Sequence, residues 1–143
     1  MDDYHGTRVP DPYRWLEDPD FPETVRWVEE EGALLREFVD GPARDALRDR
    51  LAELYDYPRL SVPERRGGRY FYFRNTGLQD QAVLFVREGS AERVLLDPNT
   101  LSADGTVALT LAVPTRDGRL LAYSISRSGS DRQEILGRDV GTA

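Results

Sequence analysis

The chain has 143 residues, 39% of them hydrophobic, which is enough for one ordinary domain with a core of its own. Its formal net charge is -7, and its 19 basic residues are all arginines interspersed with acidic residues, a pattern that argues against a nucleic acid or an anionic membrane as partner. The chain has no cysteine, which excludes disulfides, thiolate metal sites and a cysteine nucleophile and favours a reducing environment.

The sequence indicates neither export nor insertion into a membrane. Met1, Asp2 and Asp3 begin the chain without the basic and apolar regions of a signal peptide. No stretch approaches the ~20 apolar residues that span a bilayer. We therefore expect a cytoplasmic protein.

The first part of the chain, up to about residue 55, has the periodicity of amphipathic helices. The positions after Phe21 that follow one another in steps of three or four are Val25, Val28, Gly32, Leu35 and Val39, and all but Gly32 are apolar. Pro22 suits a first helical turn, and the run Asp40-Gly41-Pro42 ends this helix and begins another. The second helix carries its apolar residues at Ala43, Leu47, Leu51 and Leu54.

Beyond Pro58 the pattern changes to short β-type runs separated by turn residues. Seven strands are expected, at 60–64, 69–74, 82–87, 93–96, 107–113, 120–126 and 133–139. Glycine-containing turns such as 67–68, 104–105 and 117–118 separate them. Strands of this length and spacing favour a β-sandwich or a β-propeller.

An internal repeat favours the propeller. The run 67–73 (GGRYFYF) returns 50 positions later as 117–123 (DGRLLAY), each copy being a tight turn followed by an apolar strand. A polar loop and a further strand follow both copies, and a period near 50 residues lies in the range of propeller blades. Chance similarity between two hairpins is the alternative.

The predicted fold class is α+β, with a helical N-terminal segment followed by the antiparallel blades of an incomplete β-propeller. The predicted divisions are a helical segment at 1–58, a first blade at 59–97 and a second, truncated blade at 98–143. A propeller needs at least four blades to close, so we expect the array to continue in further polypeptide. An open array would leave strand edges and an apolar flank in water.

No catalytic constellation is recognisable. The single histidine, His5, lies in a glycine-flanked segment, and no serine stands in a Gly-x-Ser-x-Gly elbow; Ser128 and Ser130 flank a hairpin glycine instead. The acidic runs 29–31 and 18–20 are typical of a solvated surface, and Asp97, Asn99 and Asp104 lack the spacing of a calcium loop. We predict no catalytic residue, no metal site and no cofactor.

Several segments, taken in order, carry a resemblance to a known family. They are 4–6 (YHG), 11–18 (DPYRWLED), 66–75 (RGGRYFYFRN), 77–81 (GLQDQ), 95–99 (LLDPN), 104–109 (DGTVAL) and 126–131 (SRSGSD). Together they resemble the beginning of the prolyl oligopeptidases. The resemblance covers nearly the whole chain.

This resemblance implies a serine peptidase that cleaves short peptides after proline, built from an α/β-hydrolase domain capped by a seven-bladed propeller. The N-terminal helices would pack on the hydrolase domain, through Trp15, Leu16, Trp27, Leu35 and Phe38. Asp131 matches a propeller acid that approaches the substrate region. The catalytic triad would lie beyond residue 143, so the chain alone is expected to be inactive, with the rest of the enzyme as its partner.

Two other interpretations stay open from the sequence. One is a fragment of an oligopeptidase B-like enzyme, although 77–81 and 95–99 are closer to the prolyl enzyme. The other is a free-standing, non-catalytic module that binds a partner through its apolar helix or an exposed blade edge.

Overall fold

The structure is a computed structural model that describes residues 1–142. These residues form two compact units, Met1–Arg50 and a second unit that begins at Leu51. The boundary between the units falls inside the helix Pro42–Tyr55. Across the described residues, no helix combines the length and apolar character needed to cross a bilayer.

The first unit begins with a small hairpin that the sequence pattern did not predict. Strands β1 (Asp2–Tyr4) and β2 (Thr7–Val9) pair antiparallel around His5 and Gly6, whose φ angles are 55° and 90°. Positive φ at both central residues is typical of a tight hairpin turn. These strands escape prediction because they are too short and too polar to show an alternating pattern.

The helices agree with the sequence prediction. Helix α1 spans Pro22–Val39 with its proline in the first turn, and α2 spans Pro42–Tyr55. A short 3-10 helix at Arg14–Glu17 precedes them and packs on α1. The buried Thr24 hydroxyl donates to the Trp15 carbonyl (2.8 Å), and the Trp15 and Trp27 rings meet edge to face at 6.2 Å. Tertiary contact therefore fixes the start of α1.

The second unit contains two antiparallel sheets. The strands of the first sheet are β3 (Arg59–Leu60), β4 (Glu64–Arg66), β5 (Arg69–Asn75), β6 (Val83–Glu88) and β7 (Ala91–Leu96). Their order is β3-β5-β6-β7, and β4 also pairs with β5. The strands of the second sheet are β8 (Val107–Pro114), β9 (Leu120–Arg127) and β10 (Gln133–Asp139), in the order β10-β9-β8.

Each predicted strand has a counterpart, and one of them is split. The strand expected at 60–64 is divided into β3 and β4, because Pro63 has no N–H to donate to the ladder. Ser61 bridges the gap by bonding to Phe73: its N–H donates to the Phe73 carbonyl, and its hydroxyl accepts from the Phe73 N–H, both at 2.9 Å.

The core lies between the two sheets. Phe71, Leu84, Val86, Leu95 and Leu96 of the first sheet pack with Leu121 and Val140, and none of these side chains is more than 4% exposed. Because side chains alternate across a strand, the other face of β5 carries Tyr70, Tyr72 and Arg74. The alternation in the sequence thus separates a buried apolar face from an aromatic and basic one.

The two copies of the repeat meet in space. A β carbon at Gly67 would collide with the Asp117 carbonyl oxygen, and one at Gly118 would lie 2.6 Å from the Arg66 carbonyl oxygen. Both glycines also have positive φ, at 53° and 69°. Arg69 closes the contact by donating from Nη1 to the Gly118 carbonyl at 2.9 Å. The repeat therefore forms part of the junction between the sheets.

Candidate functional site

The residue types that could carry hydrolytic chemistry lie on exposed turns and on an exposed helix face. His5 lies on the turn of the N-terminal hairpin and is exposed, and Ser128 and Ser130 lie in the loop between β9 and β10. The acidic residues 29–31 are exposed on α1. Within residues 1–142, no group of three or more His, Cys, Asp or Glu side chains is arranged to hold a metal ion.

Asp131 lies in a well-braced hairpin loop. Ser128 and Gly129 have φ angles of 50° and 72°, and the Ser130 N–H donates to the Arg127 carbonyl at 2.9 Å. The Ser126 hydroxyl donates to the Ser130 carbonyl at 2.6 Å. Asp131 itself is exposed. The loop therefore fixes the backbone before Asp131 and leaves the residue open to solvent.

The five side chains predicted to pack on another domain differ in exposure. Trp15 and Leu16 are half-buried, and Trp15 contacts Trp27. Leu35 and Phe38, further along α1, are 61% and 91% exposed. We refer to Trp27, Leu35 and Phe38 as the apolar helix surface. The structure thus brings the two tryptophans together and leaves the remainder of this surface in solvent.

A second feature, which the sequence reasoning missed, is an arginine–aromatic face on the first sheet: Tyr70, Tyr72, Arg74, Phe85 and Arg87. The Arg74 guanidinium lies 3.8 Å from the Phe85 ring centroid, and Phe85 stacks on Tyr72 at 5.9 Å. The Arg87 guanidinium lies 5.1 Å from the Tyr70 ring. Cation–π contacts of this kind fix the arginines over the rings. The available signal was that Tyr70, Tyr72 and Arg74 stand at alternate positions of one strand.

Glu92 of β7 joins this face through two hydrogen bonds. It accepts one from the Tyr72 hydroxyl and one from Arg74 Nη1 at 2.8 Å. The Tyr72 hydrogen bond, helped by Arg74, lowers the pKa of Glu92, while burial and the same hydrogen bond raise the pKa of Tyr72. A groove of about 420 Å³ lies alongside, with Arg59, Leu60 and Pro63 on its other side. The cluster is an ordered polar network within an aromatic face.

Comparison with known proteins gives the context for these features. The chain matches, over residues 1–143, the family model described as prolyl oligopeptidase, N-terminal β-propeller domain. The chain belongs to the prolyl oligopeptidase family. The predicted α+β fold class is therefore confirmed, and the two sheets of this prolyl oligopeptidase segment are part of a propeller, fewer than the four blades that closure requires.

Named relatives extend well beyond the matched region. The prolyl endopeptidase of Elizabethkingia meningoseptica is 38% identical over 143 residues, which cover 99% of this chain and 20% of that protein. Prolyl oligopeptidase A of Amanita bisporigera is 35% identical over 147 residues, covering 94% of this chain and 19% of that protein. The prolyl oligopeptidase segment thus spans about one fifth of the length of these relatives.

A solved structure supports the same assignment. A chain from a structural and mechanistic study of two prolyl endopeptidases superposes with a TM-score of 0.80 at 40% identity, over 96% of this chain and 21% of that one. The catalytic α/β-hydrolase domain implied by the resemblance is not part of the 143 residues. The prolyl oligopeptidase segment contributes propeller sheets and N-terminal helices.

Proposed function

We propose that the protein to which this segment belongs is a serine endopeptidase that cleaves short peptides after proline. One observation carries the proposal: essentially the whole chain aligns with a prolyl endopeptidase at 38% identity. The relatives reported above are named for prolyl specificity, which favours this function over that of an oligopeptidase B-like enzyme. The propeller would restrict access to the active site by excluding folded proteins.

We propose that the segment divides as the sequence suggests, into helices at 1–58, a first blade at 59–97 and a second blade at 98–143. Helix α2 ends at Tyr55 and the first sheet begins at Arg59, which supports the first boundary. The first sheet ends at Leu96 and the second begins at Val107, which supports the next.

In the whole enzyme, Trp15, Leu16 and the apolar helix surface would pack on the hydrolase domain, and Asp131 would approach the substrate region. The exposure of Leu35 and Phe38 supports the first role, because large apolar side chains gain free energy when they leave water. The braced loop supports the second, because it positions the Asp131 backbone while leaving the residue accessible.

The segment on its own would have no peptidase activity. Its single histidine is His5, which stands on a hairpin turn, and a serine peptidase needs a histidine base beside its nucleophile. The proposed enzyme requires no cofactor. A cytoplasmic location is supported by the absence of cysteine from the 143 residues.

The test is hydrolysis of matched reporter peptides that differ only in the residue before the scissile bond. The full-length protein should cleave the proline reporter, should lose that activity after treatment with a serine-reactive fluorophosphonate, and should leave an arginine reporter intact. Preferential cleavage after arginine would instead support the oligopeptidase B-like alternative. No hydrolysis of either reporter would support the non-catalytic binding module.

The role of Asp131 requires a separate comparison. Asp131→Ala in the full-length protein should weaken turnover of the proline reporter. The control is Ser130→Ala, which keeps the Asp131 carboxylate and the Ser130 backbone carbonyl that accepts from the Ser126 hydroxyl. Equal kinetics for wild-type protein and the Asp131→Ala variant would remove Asp131 from the substrate region.

A further inference from the structure

Two side-chain amides connect the first sheet to the beginning of the second. The Gln81 N–H donates to Asn99 Oδ1 and Asn99 Nδ2 donates to the Gln81 carbonyl, both at 3.0 Å. The side chain of Gln81 then pairs with β8: its Nε2 donates to the Val107 carbonyl at 2.7 Å, and the Leu109 N–H donates to its Oε1 at 2.9 Å. These four hydrogen bonds are termed the amide clasp.

The amide clasp joins three separate parts of the second unit. Gln81 lies in the loop that leads into β6, and Asn99 lies in a short 3-10 helix at Pro98–Thr100 after β7. Asp97 holds Asn99 in place, because its Oδ1 accepts from the Asn99 N–H at 3.0 Å and from Nδ2 at 2.8 Å. Asp97 therefore orients the Asn99 amide, and the Asn99 amide in turn holds the backbone of Gln81.

Gln81 occupies the position of a neighbouring strand. Strand β8 is at the edge of the second sheet and pairs with β9 on one side. In an antiparallel strand, alternate residues direct N–H and C=O to opposite sides, so an edge strand presents unpaired groups. The Val107 carbonyl and the Leu109 N–H bond to the Gln81 amide, which supplies one acceptor and one donor as a strand would.

The clasp supplies directional contacts at the sheet junction. The core between the sheets is apolar, and hydrophobic contact is non-directional, so it tolerates small sliding motions. Hydrogen bonds have narrow distance and angle requirements, and partly buried groups that lose their partners incur a desolvation penalty. A shift of β8 by one residue would break both bonds to Gln81.

We propose that the amide clasp holds the second sheet in one fixed alignment against the first. The two sheets then undergo local unfolding together rather than separately. This inference does not depend on the proposed peptidase activity. It concerns the junction within residues 75–114, where the loop before β6, the 3-10 helix after β7 and strand β8 meet.

The test is hydrogen exchange on the full-length protein, read by mass spectrometry with residue-level fragmentation. The variant is Gln81→Glu, which keeps the length of the side chain but replaces the donor to the Val107 carbonyl with a carboxylate oxygen. The control is Gln79→Glu in the same loop, because Gln79 acts as an acceptor there: its Oε1 accepts from the Thr76 N–H at 2.8 Å and from the Thr76 hydroxyl at 3.0 Å.

In Gln81→Glu, repulsion between the carboxylate and the Val107 carbonyl should push the side chain away from β8 and so break the hydrogen bond that the Leu109 N–H donates. Exchange at the Leu109 N–H should then accelerate by about tenfold or more, and β8–β10 should open more readily than β5–β6. Gln79→Glu should match the wild-type protein. If exchange accelerates only at the Leu109 N–H, the clasp forms hydrogen bonds without coupling the two sheets, and the proposal fails. It also fails if Leu109 remains protected in Gln81→Glu, or if the two variants behave alike.

A milder variant keeps the test decisive if Gln81→Glu does not fold. Gln81→Met preserves the side-chain length without introducing charge and removes both bonds to β8. It should show the same selective loss of protection in β8–β10. Wild-type-like exchange throughout β8–β10 in Gln81→Met would overturn the proposal.

Discussion

Glu92 shows how single side chains organise the outer face of the first sheet. Its carboxylate accepts hydrogen bonds from the Tyr72 hydroxyl and from Arg74, and Arg74 stacks on Phe85. Charge-assisted hydrogen bonds are stronger than neutral ones, so the ionised form of Glu92 is favoured in the folded protein. The charge state of this one exposed residue on β7 thus affects the arginine–aromatic face on β5 and β6.

The first prediction concerns the pKa of Glu92. Because the Tyr72 hydrogen bond is the main cause of the lowered pKa, Tyr72→Phe should raise the pKa of Glu92 toward its ordinary value. The measurement is an NMR titration of ¹³C-labelled glutamate carboxyl groups. Tyr70→Phe is the control, since Tyr70 belongs to the same face but its ring contacts are with Arg65 and Arg87.

The sign of the accompanying stability change follows by linkage. A carboxyl whose pKa is lower in the folded than in the unfolded state stabilises the fold above its unfolded pKa, and this contribution is lost as pH falls through the folded pKa. Tyr72→Phe should therefore lose less stability than the wild-type protein on acidification through that range. An unchanged pKa of Glu92 in Tyr72→Phe would contradict the role given to the hydroxyl.

At the scale of elements, the turns that connect strands also determine how closely the sheets approach. The turns at Gly67 and Gly118 come from the two copies of the sequence repeat, and each occupies the space that a β carbon of the other would need. Glycine there serves two purposes, since it permits positive φ and allows backbone to contact backbone. The two sheets are therefore in contact through their turns as well as through the apolar core.

The second prediction separates these two purposes of glycine. Gly129 has a φ of 72°, close to the 69° of Gly118, but a β carbon there would meet nothing within 4 Å. Gly129→Ala should cost about 1 kcal/mol of unfolding free energy through backbone strain alone, because an L-residue is disfavoured in the left-handed region. Gly118→Ala should cost more, about 2–3 kcal/mol, because its β carbon also collides with the Arg66 carbonyl.

Denaturant unfolding of the full-length protein measures both variants. Gly118→Ala should shift the midpoint further than Gly129→Ala at a similar slope, which would indicate a change in stability rather than in the extent of unfolding. Equal midpoints for the two variants would mean that the turns do not constrain the approach of the sheets.

Periodicity in the sequence predicts most of these elements but few of their contacts. The spacing of Val25, Val28 and Leu35 predicts α1, and a short β-type run between turn residues predicts β5, because these patterns are local in the sequence. The hairpin around His5 escapes prediction because its strands are short and polar. The Gln81 and Glu92 networks also escape it, since both join residues that are distant in sequence and become neighbours only when strands pair.

At the scale of the whole molecule, the distribution of apolar residues differs between the two units. In the second unit, side chains such as Phe71 and Leu121 are almost completely buried between two sheets. In the first unit, Thr24 is the buried residue of α1, and large apolar side chains remain exposed along the helix. Exposed apolar surface of this kind is typical of an interaction site. The proposed hydrolase domain would bury these side chains.

The third prediction tests whether another domain covers the apolar helix surface in the full-length protein. Phe38→Glu places a charge on the apolar helix surface, whereas Ala33→Glu places the same charge on α1 about 140° further around the helix, at 100° per residue. If another domain covers Phe38, the first variant should lose about 2 kcal/mol or more of unfolding free energy, because an apolar side chain is lost and a carboxylate is buried. Ala33→Glu should change it by less than about 0.5 kcal/mol, as surface substitutions do. Denaturant unfolding gives both values, and equal stability of the two variants would show that the apolar helix surface stays in solvent in the assembled protein.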